Sequence, residues 1–125
     1  DFIHRARRVR KVFGGGMRQA GIIAAGGLYA LKNNVDRLKE DHEHARMLGE
    51  TLEACSWIKE VVPVDTNIVV GVLEQSGDLN GVLSKLEDNG ILAMDFGPGM
   101  IRMVTHLDIS AEDIDKTIQV LKQVQ

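Results

Sequence analysis

The chain has 125 residues, 44% hydrophobic and 26% charged, with a formal charge of −3, a composition that fits one ordinary folded domain and excludes a disordered chain. Its most apolar stretch, Ala20 to Leu31, is interrupted by Gly21, Gly26, Gly27 and Tyr29 and falls short of the roughly 20 apolar residues that a bilayer demands, so no membrane partner is expected. Cys55 is the only cysteine, which excludes a disulfide framework and leads us to expect a reducing, cytoplasmic setting.

The chain opens on Asp1, in what reads as the middle of an element and without a visible leader, so we expect a piece of a longer protein. Its first 18 residues hold Arg5, Arg7, Arg8, Arg10, Lys11 and Arg18 against Asp1 alone, leaving a net −8 on the rest. Phe2, Ile3, Ala6, Val9, Val12 and Phe13 recur at helical spacing and predict an amphipathic helix that ends at Gly14-Gly15-Gly16. A second helix is expected from about Met17 to Lys32. It is apolar nearly all round, and each glycine in it costs about 1 kcal/mol relative to Ala, so a larger body should pack against it.

After Asn33-Asn34 the pattern predicts a long polar helix with one stripe of Val35, Leu38, His42, Ala45, Leu48 and Leu52; Asp41 and Glu43 read as its solvated surface. Trp57 to Val62, broken at Pro63, and Asn67 to Leu73 read as strands. Leu79, Val82, Leu83 and Leu86 form a short helix closed by Asn89-Gly90, a left-handed cap signal. Two further strands, Ile91–Asp95 and Met100–Thr105, are joined by Phe96-Gly97-Pro98-Gly99. In the last helix Ser110 and Asp113 make a capping box, Ile109 and Ile114 a hydrophobic staple, and Ile114, Ile118, Leu121 and Val124 one apolar face. The expected class is α+β: N-terminal helices (1–55), then a small, mainly antiparallel sheet with helices on one side, β-β-α-β-β-α (56–125).

Two places could carry chemistry. A glycine run opening into a helix offers the N–H groups of Gly15 to Met17 to an anion, with Arg18 adding a formal charge. The same residues also read as a plain helix–helix turn with an exposed arginine. Arg102 sits between Ile101 and Met103-Val104 in a strand. Pointing inward it would need a carboxylate or phosphate; pointing outward it is ordinary surface, and alternation leaves both open. His42 and His44, two apart on a helix, do not make a metal pair. His106 is a histidine hydrogen-bonded at a strand–helix junction or a site residue, and Cys55 reads as a packed thiol.

The continuous string Arg7-Arg8-Val9-Arg10-Lys11-Val12-Phe13-Gly14-Gly15-Gly16-Met17-Arg18-Gln19-Ala20-Gly21-Ile22 resembles the low-specificity L-threonine aldolases. The likeness continues through Leu28-Tyr29-Ala30-Leu31, Arg37-Leu38, Glu40-Asp41-His42, Asp65-Thr66-Asn67 and Ile101-Arg102-Met103-Val104-Thr105-His106-Leu107-Asp108. The resemblance implies the C-terminal portion of an enzyme of the aspartate-aminotransferase type of fold, with pyridoxal 5′-phosphate (PLP) as cofactor. It implies cleavage of threonine or allo-threonine, a small-molecule amino-acid substrate, to glycine and an aldehyde, in a homo-oligomer. Arg102 matches the family's arginine for the substrate α-carboxylate, and Lys11 and Arg18 match basic residues near the cofactor. The family's Schiff-base lysine, ring-stacking histidine and pyridine-pairing aspartate match nothing in this chain. The large PLP-binding domain is therefore an expected missing partner, and the chain alone is expected to be inactive. A degenerate small domain, or an anion- or nucleic-acid-binding module on the basic first helix, is the alternative. Nucleic-acid binding is disfavoured, because it gives the apolar second helix no purpose.

Overall fold

Residues 1–74 and 78–124 are described by a computed structural model, in which the chain divides into two units, Asp1–Asp36 and Arg37–Gln125. The first unit is a pair of helices, α1 (Phe2–Val12) and α2 (Gly21–Asn33). Arg10 and Lys11 occupy the last turn of α1, where positive charge complements the helix dipole. Gly14 then takes φ +81°, which reverses the chain at little cost because glycine has no Cβ. α2 begins at Gly21, later than expected from the sequence. The residues after the glycines form turns instead, and Gln19 sits at φ +55°, a left-handed conformation that cannot continue into a right-handed helix. Neither helix buries a residue, and Ile22 on α2 is 83% exposed.

The second unit runs α3 (Leu38–Glu53), β1 (Ile58–Val61), β2 (Ile68–Leu73), α4 (Leu79–Asp88), β3 (Met94–Asp95), β4 (Met100–Val104) and α5 (Ala111–Gln123). The four strands form one sheet in the order β1-β2-β4-β3, every neighbouring pair antiparallel. This is the α+β arrangement that the residue pattern predicts. β3 is shorter than expected: Ile91 turns into the core and bonds back to Leu86 O (2.9 Å), so only Met94 and Asp95 pair with β4. α3, which the sequence pattern grouped with residues 1–55, packs on the sheet, and the boundary between the units falls at Asp36/Arg37.

Burial explains the layering. Ala45, Leu48 and Leu52 of α3, Val82 and Leu86 of α4, and Ile114, Val120 and Leu121 of α5 share one core with Val69, Leu73, Ile101 and Met103 of the sheet. The helices therefore cover a single face. Gly90 follows α4 at φ +76°, the left-handed terminus that Asn89-Gly90 signals.

α5 starts as its sequence dictates. Ser110 Oγ accepts from the Asp113 N–H (3.2 Å) while Asp113 Oδ2 accepts from the Ser110 N–H (3.0 Å) and hydroxyl (2.9 Å). The hydrogen bonds from the Ser110 backbone and hydroxyl hold the Asp113 carboxyl below its ordinary range. A carboxylate with a lowered folded-state pKa contributes stability that is fully present above its unfolded pKa and is lost as pH falls through the folded value. Ser110→Ala removes the hydroxyl and keeps the backbone N–H, so it should raise the Asp113 titration midpoint part of the way toward an ordinary aspartate, read by carboxyl carbon NMR.

Candidate functional site

Strand β4 separates two environments by alternation. Ile101 and Met103 point into the core beneath the helices, with Thr105 following on the same side, so Arg102 and Val104 belong to the other face of the sheet. Arg102 is flanked in register by Val70 of β2 and Met94 of β3. Its Nε is buried without a hydrogen-bond partner, and Nη2 lies 3.6 Å from the Met94 sulfur, a weak acceptor. The guanidinium carbon stands 5.2 Å from the centre of the Phe96 ring, within cation–π range. Among the described residues no carboxylate pairs with it. Arg102 is thus neither sunk in the helix-covered core nor simply solvated: it is a half-buried cation lacking an anion.

The end of the same strand is clamped. Asn67 and Thr105 exchange bonds, Thr105 N–H to Asn67 O (3.0 Å) and Asn67 Nδ2 to Thr105 O (2.7 Å). The Thr105 hydroxyl, 1% exposed as a residue, donates to the Asp41 backbone carbonyl at 2.7 Å. Asp41 in turn receives a bidentate pair from Arg37, 2.9 Å in both arms. The expectation of a solvated Asp41 is corrected here: it is 3% exposed, while His42, assigned to the apolar stripe, is exposed. The spacing of Asp41, Ala45, Leu48 and Leu52 puts the carboxylate on the buried face, and the arginine four residues earlier makes that burial tolerable. His106 Nδ1 accepts from the Asp108 N–H (3.3 Å), the junction role open to it from sequence.

Within the first unit, Lys11 and Arg18 are both exposed on either side of the glycine turn. A Cβ at Gly16 would lie 3.2 Å from Lys11 Cγ, so the glycine lets the lysine stem lie along the turn. The Gly15 N–H donates to Arg10 O at 2.8 Å, which removes it from the set of N–H groups expected to face an anion. Among the described residues no group of histidine, cysteine and acidic side chains could hold a metal ion. Cys55 is a packed thiol, its Sγ 3.2 Å from Thr51 O, and burial pushes its pKa up, away from nucleophilic character. A cavity of about 320 Å³ lies on the helix side, lined by Met103, His106, Ile109 and Lys116 among others; Arg102 does not line it.

The sequence model of the beta-eliminating lyase family matches residues 1–76. The chain belongs to that family. Within it, the chain is 44% identical to the low specificity L-threonine aldolase of Escherichia coli K12 over 91% of its own length and 33% of that protein. It is 37% identical to low-specificity L-threonine aldolase 1 of Arabidopsis thaliana over 98% of its length and 35% of that protein. The chain therefore spans about a third of the length of the curated relatives it matches. Among solved structures, a decarboxylase from Sulfurospirillum multivorans superposes with a TM-score of 0.66 at 19% identity, over 94% of this chain and 36% of that one. An ornithine aminotransferase from Toxoplasma gondii, a structure with partial occupancy of PLP at its active site, gives a TM-score of 0.60 at 21% identity, over 81% and 25%. These likenesses show the fold of the family.

PLP is the cofactor that the resemblance to the aldolases leads us to expect, and the match to the lyase family accords with it. The donors present suit its chemistry in part. An unpaired guanidinium at Arg102 and two exposed cations beside a glycine turn fit anionic groups. All seven lysines are exposed, so none has the desolvated amine that Schiff-base chemistry favours. The sequence did not single out Phe96, Met94 or Thr105 as partners of the site; their roles depend on strand pairings that no local pattern specifies. Thr105→Val keeps the shape of that side chain and removes its buried donor, and should lower the unfolding free energy by about 1 kcal/mol in urea titration.

Proposed function

We propose that this chain is the C-terminal third of a PLP-dependent aldolase that cleaves L-threonine or L-allo-threonine to glycine and an aldehyde. The observation that carries the reading is Arg102, a half-buried guanidinium with an unsatisfied Nε and no carboxylate partner among the described residues, in a chain 44% identical to a threonine aldolase. In this reading Arg102 receives the substrate α-carboxylate through its planar fork and fixes the orientation of the bond to be cleaved. Lys11 and Arg18 neutralise the cofactor phosphate. PLP, when bound, supplies the electron sink for the carbanion left on the α-carbon. The lysine that attaches it lies in the remaining two thirds of the protein, so the 125-residue chain alone is inactive.

The same reading makes the helical segment 1–55 the link to a large cofactor domain and residues 56–125 the small domain, with α3, the last helix of the link, packed on the small domain's sheet. Support comes from α2, whose Ile22, Ile23, Leu28, Tyr29 and Leu31 are all exposed. A Cβ at its Gly21, Gly26 or Gly27 would meet nothing within 4 Å, so its small residues leave room for a neighbour to approach closely. The large domain and a second subunit of a homo-oligomer are the fitting occupants. Among the described residues no helix is long and apolar enough to cross a membrane, and the single buried thiol suits a reducing cytoplasm.

Two measurements test the reading. Incubated with equimolar PLP and then borohydride, the isolated chain should show only scattered, substoichiometric label over its exposed lysines; stoichiometric labelling of one lysine would overturn the claim that it lacks the attachment site. In the intact protein, Arg102→Lys should raise the KM for L-threonine by about 10-fold or more, the cost of losing a bidentate charge-assisted pair, with a smaller change in kcat. An unchanged KM would remove Arg102 from the carboxylate site.

A further inference from the structure

We propose that Phe96 is a positioning residue for Arg102, its ring holding the guanidinium in place without neutralising it. The inference rests on the reading of Arg102 as the carboxylate receptor. An arginine kept ready for a substrate anion faces a physical conflict. A neighbouring Asp or Glu would fix the long side chain but would also occupy its fork and compete with the substrate. Left alone, the side chain must surrender its rotamer freedom on every binding event. An aromatic face and a thioether resolve the conflict, because both hold a cation and neither carries a charge.

The local geometry supplies that arrangement. Met94 pairs in register with Arg102, and its sulfur meets Nη2 at 3.6 Å. Phe96 stands two residues on, at the mouth of the β3–β4 hairpin, with its ring centre 5.2 Å from the guanidinium carbon. The hairpin holds it there: the Phe96 N–H donates to Met100 O (3.0 Å) and the Met100 N–H to Gly97 O (3.0 Å). Asp95, the acid between Met94 and Phe96, is engaged elsewhere, its Oδ1 accepting from the Gly97 N–H at 2.8 Å. Gly97 at φ +128° and Gly99 at φ +69° give the turn a backbone that other residues rarely adopt. Phe96 is 49% exposed and takes no part in the hydrophobic core, so its ring is not explained by packing under the helices.

The test compares Phe96→Leu, Phe96→Tyr and Arg102→Ala in the intact protein with PLP bound. Loss of the ring should raise the KM for L-threonine about two- to fivefold, the range of a part-exposed cation–π contact, with kcat unchanged and Tyr restoring the original value. A second readout is independent of turnover. In arginine-labelled protein the Arg102 Nε–Hε resonance should carry a ring-current shift that vanishes in Phe96→Leu and persists in Phe96→Tyr. Titration with glycine should move the same resonance. An unchanged KM in Phe96→Leu, no rescue by Tyr, or an Nε–Hε resonance indifferent to the ring would overturn the proposal. Arg102→Ala separates the two possible failures. If it raises KM while Phe96→Leu does not, only the positioning role falls; if it leaves KM unchanged, the carboxylate assignment falls and the role of Phe96 with it.

Discussion

Thr105 stands where three segments of the second unit meet, and its hydroxyl is the point at which they become one body. Through it the end of β4 is bonded to the first turn of α3, while its backbone is bonded both ways to Asn67 at the start of β2. Arg37 and Asp41 brace the helix side of that junction from within the same turn. The consequence reaches beyond local stability. Thr105 shares its orientation with Ile101 and Met103, so pinning it beneath α3 fixes which residues of β4 face the core. A slip of one residue would reverse every side chain on the strand and send Arg102 among the helices, where the buried carboxylate of Asp41 is already paired with Arg37. The clamp and the core therefore place Arg102 jointly, one through a directional bond and the other through apolar area.

The motifs that resemble the aldolases are dispersed in sequence, yet Arg37, Asp41, Asn67 and Thr105 come from four of them and meet at this junction. Part of that resemblance thus falls on residues that hold a strand end in place. Arg102, from the same run as Thr105, is the exception that has no anionic partner among the described residues.

What could be read from the residues follows the range of the forces involved. α5 was legible because its start is a reciprocal bond between Ser110 and Asp113 and its face a short apolar period, both settled within a few residues. The strands and their antiparallel class were legible from β-branched content and turn residues. Asp41 escapes a sequence reading because a carboxylate among Glu40, His42 and Glu43 reads as solvated surface, although Arg37 four residues earlier offers a local reason to bury it. The start of α2 was misplaced because the left-handed Gln19 carries no signal in its own identity. The orientation of Arg102 required knowledge of which sheet face the helices cover, and the approach of Phe96 required a hairpin whose β3 side is only two residues long. Those are products of tertiary pairing, and local pattern does not contain them.

The alternation along β4 also has a consequence for how such a chain diverges. Residues of one parity answer to the core and those of the other to the opposite face of the sheet, and a pleated strand keeps the two sets apart while holding them a few ångströms from each other. Exchanges at Met100, Arg102 or Val104 are felt on the open face, and exchanges at Ile101 or Met103 are absorbed by the interior. A lineage can therefore vary the side chains on one side of this ribbon while the selection that preserves its fold acts on the other.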